Sequence, residues 1–227
     1  MHSEEFRPQE HRAYEDLLRH LPLSLQRFVD FSMSSTPSTR HYHAKWHLGR
    51  MWRLHREHGP RSWDHEIAID IAFHDVVNIP GAAPASNEIK SLMALLECAS
   101  WGSEPELAKI LRLKNHCGRI LATADHLGSG WAITEENDPV GGWFLDLDLE
   151  PIASSDFQEN TQLLRREHQF ATDEAFEKGR INFLMVMNAA PKIYRTATAA
   201  SLGWERVARA NIARELDLHM ARMSVSM

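Results

Sequence analysis

Apolar residues in this chain return every three or four positions, and strand-like alternation is nearly absent. A period near 3.6 gathers apolar side chains into one stripe on a helix, whereas a half-buried strand needs a period of two. HRAYEDLLRHL shows the pattern, with Tyr14, Leu17, Leu18 and Leu21 on one face. Breaks at SSTPSTR, Gly59-Pro60, NIPGAAPAS, GSEPE and LGSG divide the remainder. Between and after them, YHAKWHLGRMWRLHREH, SWDHEIAIDIAFHDVV, NEIKSLMALLECAS, PELAKILRLKNHCGRILATADH, WFLDLDLEPI, SDFQENTQLLRREHQF, DEAFEKGRINFLMVMNAA and WERVARANIARELDLHM read as helical. SSTPSTR offers N-caps for the histidine-rich helix, and Ser62 or Asp64 for the next. With no repeat, low-complexity tract or long linker, the expectation is an all-α bundle of about eight or nine helices. It forms one domain over residues 1–227, with a core at about 38–150 and helices at 154–220 packing on it.

Charge and cysteine usage narrow the function. A formal charge of −6 argues against polymeric nucleic acid as a partner, because that binding needs a basic face. Cys98 and Cys117 form no CxxC pair, which excludes a cysteine-based zinc module and gives no disulfide framework. The first residues lack an apolar signal region, and no run approaches the roughly 18 apolar residues of a membrane span. These features predict a reduced, cytoplasmic protein without membrane association; a homodimer is left open. The 14 histidines are unevenly placed, with half of them between His41 and His74.

Three segments carry groups that ligate metals, the first basic and aromatic-rich and the other two apolar. On a helix His43 and His47 stand at i and i+4, one turn apart on the same face. His74 and Asp75 end the apolar run IAIDIAFHDVV, where a charge must be paired or bound to a cation. Asp146 and Asp148 lie within WFLDLDL, and an N-cap role explains at most one of them. His, His-Asp and Asp from three helices make a mixed nitrogen and oxygen set. It suits a divalent ion (Mn, Mg, Co, Ni, Zn or Fe) with positions left open.

In this order the motifs resemble the HD superfamily of metal-dependent phosphohydrolases, and most closely its bacterial branch of predicted HD phosphohydrolases. That branch runs YHNxxHI, FHDxVY, NExSA, ATxxH, FLDxDL, RxEY, GR and E-xxAR-N. This chain has YHAKWHL, FHDVVN, NEIKS, ATADH, FLDLDL, RREH, GR and WERVARAN, from residue 41 to about residue 215. Ala44, Asn78 and His168 depart from the pattern; they leave the ligand set intact but alter positions expected to meet substrate. The chain also resembles, more distantly, the cyclic nucleotide phosphodiesterases.

The resemblance implies a metal held by His47, His74, Asp75 and one of Asp146 or Asp148, with His43 protonating the leaving group. The reverse assignment of His43 and His47 stays open, as does the choice between the two late aspartates. Asp75 orients water and accepts its proton, and Glu88 opens a helix near the site. Lys45 and Arg50 lie on or near the His47 helix, where they face phosphate or solvent. His126 in ATADH is a candidate substrate contact or second-metal ligand. Arg165, Glu167, Arg180, Tyr194 and Arg209 match polar points of the family pattern, either as a phosphate clamp or as braces between helices. His55, His58, His65, His116 and His219 read as surface residues. The implied activity is hydrolysis of a small phosphorylated metabolite, a nucleotide foremost. A di-iron oxygenase on the same scaffold and a non-catalytic nucleotide-binding module are the alternatives.

Overall fold

The computed structural model describes the backbone of residues 7–35, 39–99 and 106–225. Among the described residues there are eleven α-helices and no strand. They are α1 (Pro8–Arg19), α2 (Leu23–Ser35), α3 (Lys45–His58), α4 (Asp64–Phe73), α5 (Ser86–Ala99) and α6 (Glu106–Ala122). After a loop come α7 (Pro139–Leu149), α8 (Phe157–Glu167), α9 (Asp173–Ala189), α10 (Ala197–Ser201) and α11 (Trp204–Val225). The all-α class stands, and the helix number exceeds the eight or nine read from the sequence. The two additions are α2, whose stripe of Leu25, Val29 and Met33 is buried, and α10, a five-residue turn capped by Thr196. A helix that short has no periodicity to detect.

Both expected caps fail. The cap of α3 is Ala44, extended and without a side-chain bond, so the helix starts two residues after His43. Residues 61–63 form a 3₁₀ turn that runs directly into α4, which puts Ser62 and Asp64 inside helical turns. Asp64 is used instead by His55 Nε2 at 2.9 Å and Arg56 Nη1 at 3.0 Å.

Two helices are apolar almost all round and lie at the centre, as such helices must. In α4, Ile67, Ala68, Ile71, Ala72 and Phe73 are buried, and in α7 so are Val140, Trp143, Phe144, Leu145, Leu147 and Leu149. α4 packs against α3, α6 and α7, while α11 packs on α9 and on the 3₁₀ turn at 150–153. One hydrophobic cluster runs from Tyr14 to Ile212, so the C-terminal helices share the core. α1 crosses α3 closely at Gly49, where a Cβ would sit 1.9 Å from the Glu10 carbonyl oxygen. Gly49→Ala should therefore cost about 3 kcal/mol or more, the upper range for overpacking. Chemical denaturation measures it, and a loss below about 1 kcal/mol would show that the helices separate freely.

His55 and His116 are buried, contrary to the surface reading. Each sits on the inner face of its helix and is paired there, as burial demands. Trp143 Nε1 donates to His55 Nδ1 at 3.2 Å. His116 Nδ1 lies 2.6 Å from Asp70, whose other oxygen accepts from Arg119 at 3.0 Å. Among the described residues no helix is long and apolar enough to cross a membrane.

Candidate metal centre

Three elements meet at one point inside the bundle. His47 comes from the first turn of α3, His74 and Asp75 from the C-terminal end of α4, and Asp148 from the last turn of α7. Ligand atoms of His47, His74 and Asp148 all lie within 4.8 Å of one another. Asp148 Oδ1 is 3.0 Å from His47 Nε2 and 3.5 Å from His74 Nε2. Asp75 Oδ2 is 3.0 Å from His74 Nε2 and 3.8 Å from His47 Nε2. The two imidazoles are fully enclosed, at 0% and 1% exposure.

The hydrogen bonds around this cluster are incomplete in an informative way. His74 Nδ1 lies 2.9 Å from the Ile71 carbonyl, which can only accept, so Nδ1 carries a proton. Burial opposes charge on His74, but Asp75 and then Asp148 outweigh it and raise its pKa well above the ordinary value. Nε2 therefore also carries a proton between the two carboxylates, and a metal would take that proton's place. His74 Nε2 and Asp75 Oδ2 are both buried and lack a hydrogen-bond partner despite their closeness. Buried polar atoms without partners are costly, and a cation between them removes that cost. Burial would raise the Asp148 carboxyl, but His74, His126 and His47 outweigh it and hold that group well below the usual range. Asp75 is likewise depressed, burial being outweighed by His74 and His43. Both carboxylates are therefore ionised, as ligands must be.

His126 completes the ring of contacts. Its Nε2 meets Asp148 Oδ2 at 3.0 Å, so Asp148 faces His47 with one oxygen and His126 with the other. The backbone carbonyl of His126 accepts from Arg195.

His43 lies outside the ligand cluster. It precedes α3, so the i and i+4 relation to His47 does not apply, and its ring turns to Glu167 instead. Glu167 Oε2 accepts from the backbone N–H groups of His41, Tyr42 and His43 at 2.9, 2.9 and 3.1 Å. Its Oε1 pairs with His43 Nδ1 and accepts from Asn78 Nδ2 at 2.8 Å. Burial alone would lower the His43 pKa, but Glu167 and then Asp75 reverse the effect and raise it to about 9. Arg40 fixes this segment to the α4 end by donating to the carbonyls of His43, Asp75 and Val76 at 3.1, 2.7 and 2.8 Å. Sequence reading gave Arg40 no role. It left Glu167 between clamp and brace, and the bonds make it a brace.

Several expected site residues are placed elsewhere. Asp146 is turned to the opposite side of α7, where it accepts from Arg195 N, Thr196 N and Thr196 Oγ1 at 2.8, 2.8 and 2.7 Å. It holds the loop before α10 and is not a metal ligand. Lys45 points to Asp30 at 3.0 Å and has no part in the site. Arg50 grips Glu150 through Nε and Nη2 at 2.6 and 2.9 Å, which ties α3 to the end of α7 and leaves its charge compensated. Arg165 is tied to Asp173 and to the His168 and Ala171 carbonyls, bridging α8 and α9. Tyr194 donates to the Leu149 carbonyl, and Arg209 binds carbonyls at the end of α9. These are braces.

A cavity of about 440 Å³ opens beside the cluster, with His43, Asp75, His126 and Asp148 at its polar end. Glu88 and Arg180 also line it. Arg180 is nevertheless paired with Glu215 at 2.9 Å. No family model, no curated protein and no solved structure matches the chain.

Proposed function

We propose that this protein is a metal-dependent phosphohydrolase acting on a small phosphorylated metabolite, with nucleotides the first class to test. The observation that carries the reading is the enclosed set of His47, His74 and Asp148, with Asp75 Oδ2 beside it at 3.0 Å from His74 Nε2. The resemblance of the motifs to HD phosphohydrolases adds to it. The donors are nitrogen and oxygen with no thiolate, which fits a divalent ion of intermediate or hard character. Such an ion would be held by His47, His74, Asp148 and Asp75 and would supply Lewis acidity at a phosphoryl oxygen.

The chain's own residues supply the remainder. Asp75 belongs to the ligand cluster through Oδ2 and also lines the cavity, where its carboxylate orients attacking water and takes its proton. His43 presents Nε2 to the cavity because Nδ1 is held by Glu167. Its proton goes to the departing oxygen, the task of a general acid. Glu88, which also lines the cavity, orients polar groups of the substrate. Metal analysis of the purified full chain, followed by phosphate release from a panel of nucleotides and sugar phosphates, tests the reading. A divalent ion at one or two per chain and metal-dependent phosphate release are expected. Absence of phosphate release from every ester, with metal bound, would overturn it.

One contact favours a second reading. His126 sits on the oxygen of Asp148 that faces away from His47, an arrangement suited to bridging two ions. Two irons per chain with a charge-transfer absorption band would point to oxygenase chemistry on this scaffold instead.

A further inference from the structure

The cavity has an apolar side as well as its polar end. Its far wall is apolar and aromatic, built by Ile152, Phe157, Leu164, Phe176 and Phe183 from the 150–153 turn, α8 and α9. Arg180 lies over Phe157 and Phe183 at 5.2 and 5.3 Å, with its charge committed to Glu215.

One detail of this wall indicates a ligand. Gly179 stands in the middle of α9 and lines the cavity, and a Cβ there would meet no atom within 4 Å. Glycine in a helix interior is destabilising relative to alanine, so what this position provides is room. Asn160, on α8, is 3% exposed and also lines the wall. Arg7 Nη2 donates to Asn160 Oδ1 at 3.2 Å, and a guanidinium only donates, so the amide orientation is fixed. Asn160 Nδ2 is thereby left as a buried donor with no partner, sealed from the cavity, so this side chain gives the wall its shape rather than a hydrogen bond.

Charge limits the number of phosphates. Among the described residues lining the cavity, Arg180 is the one Lys or Arg, and it is paired, whereas Asp75, Glu88 and Asp148 are acidic. One phosphoryl group is offset by the ion and by protonated His43. Further phosphates would extend past that end, where no lining cation is uncommitted, and unpaired buried charge is strongly disfavoured.

We propose that the cavity is a leaving-group chamber for a monophosphate ester whose alcohol carries one planar aromatic ring. This rests on the phosphohydrolase reading above. Water adds to phosphorus, the phosphorus–oxygen bond to the alcohol breaks, the His43 proton goes to that oxygen, and inorganic phosphate and the free alcohol leave. The volume lies within the roughly 300–1,000 Å³ of small-molecule sites.

The test uses the metal-loaded full chain with glycerol phosphate, 1-naphthyl phosphate and the mono-, di- and triphosphates of adenosine. Adenosine monophosphate, an alkyl ester like glycerol phosphate, should exceed it in kcat/KM by about 10- to 100-fold, the range available to a shaped apolar pocket. Each added phosphate should lower kcat/KM several-fold. Gly179→Phe should reduce the ratio of ring esters to glycerol phosphate by about tenfold with bound metal and Tm retained. Hydrolysis without ring preference, a triphosphate turned over best, or ratios unmoved by Gly179→Phe would overturn the chamber and leave the hydrolase reading standing. Calorimetric titration with 1-naphthyl phosphate separates the two ideas. Binding in the wild type that is lost in Gly179→Phe, without phosphate release from any ester, supports the chamber and sinks the hydrolase reading. No binding and no turnover would sink both.

Discussion

His74→Ala should lose the bound divalent ion and the hydrolytic rate together, by about 10²-fold or more in each. Removing a group from behind the ligands of a metal already costs about 10–100-fold in affinity or activity, and His74 is placed as a ligand itself. Alanine removes the Nε2 lone pair and leaves His47, Asp75 and Asp148, with two carboxylates close together and one imidazole fewer to offset them. Asp148→Ala should behave alike, because Asp148 touches His47, His74 and His126 together. The control is Asp146→Asn. That carboxylate accepts three hydrogen bonds from Arg195 and Thr196, so its loss should cost about 1–3 kcal/mol of stability with metal stoichiometry unchanged. Mass spectrometry under native conditions, together with thermal unfolding, reads both quantities. Wild-type metal content in His74→Ala, or metal loss in Asp146→Asn, would mean that the centre has been placed on the wrong residues.

The pair Asp146 and Asp148 shows where sequence reasoning stopped short of what it contained. Successive helical residues are turned by about 100°, so positions i and i+2 lie about 200° apart and cannot face one centre. Once FLDLDL is read as helix, only one aspartate can be a ligand. Which one depends on what surrounds α7, and that is tertiary information. The helical placement of His43 failed differently. The i and i+4 argument presumed a helix from residue 42, whereas three consecutive backbone N–H groups of residues 41–43 bind Glu167 from a helix 124 to 126 residues away. No local pattern encodes such a partner. The same limit explains the arginines. Arg50 and Arg165 are good phosphate candidates until Glu150 and Asp173 are seen to neutralise them. His74 and Asp75, by contrast, were legible, because a His-Asp pair closing an apolar helix has few ways to be buried without a counterpart.

His43→Ala should slow hydrolysis of an ester with a poor leaving group by about 10²–10⁴-fold, while a nitrophenyl ester is affected far less. The poor leaving group departs as an alkoxide unless a proton meets it, whereas nitrophenolate is stable without one. Bound metal should be unchanged, since His43 is turned to Glu167 and not to the ligand cluster. Glu167→Gln tests the reason. Burial acting alone would push the His43 pKa below its ordinary 6.5, and Glu167 is the first group that reverses this to about 9. A raised pKa keeps the ring protonated as pH rises, so wild-type rate on a poor leaving group should decline only near pH 9. In Glu167→Gln the amide oxygen can still accept the backbone N–H groups of residues 41–43, but the negative charge beside the imidazole is gone. The alkaline limb should then move toward neutrality, and the rate at pH 8 should fall on the poor leaving group while the nitrophenyl ester keeps its rate. A variant that merely loosens the segment would slow both esters and leave the limb where it was. Equal losses on both substrates, or an alkaline limb unmoved in Glu167→Gln, would remove His43 from proton transfer and leave Glu167 a purely structural brace.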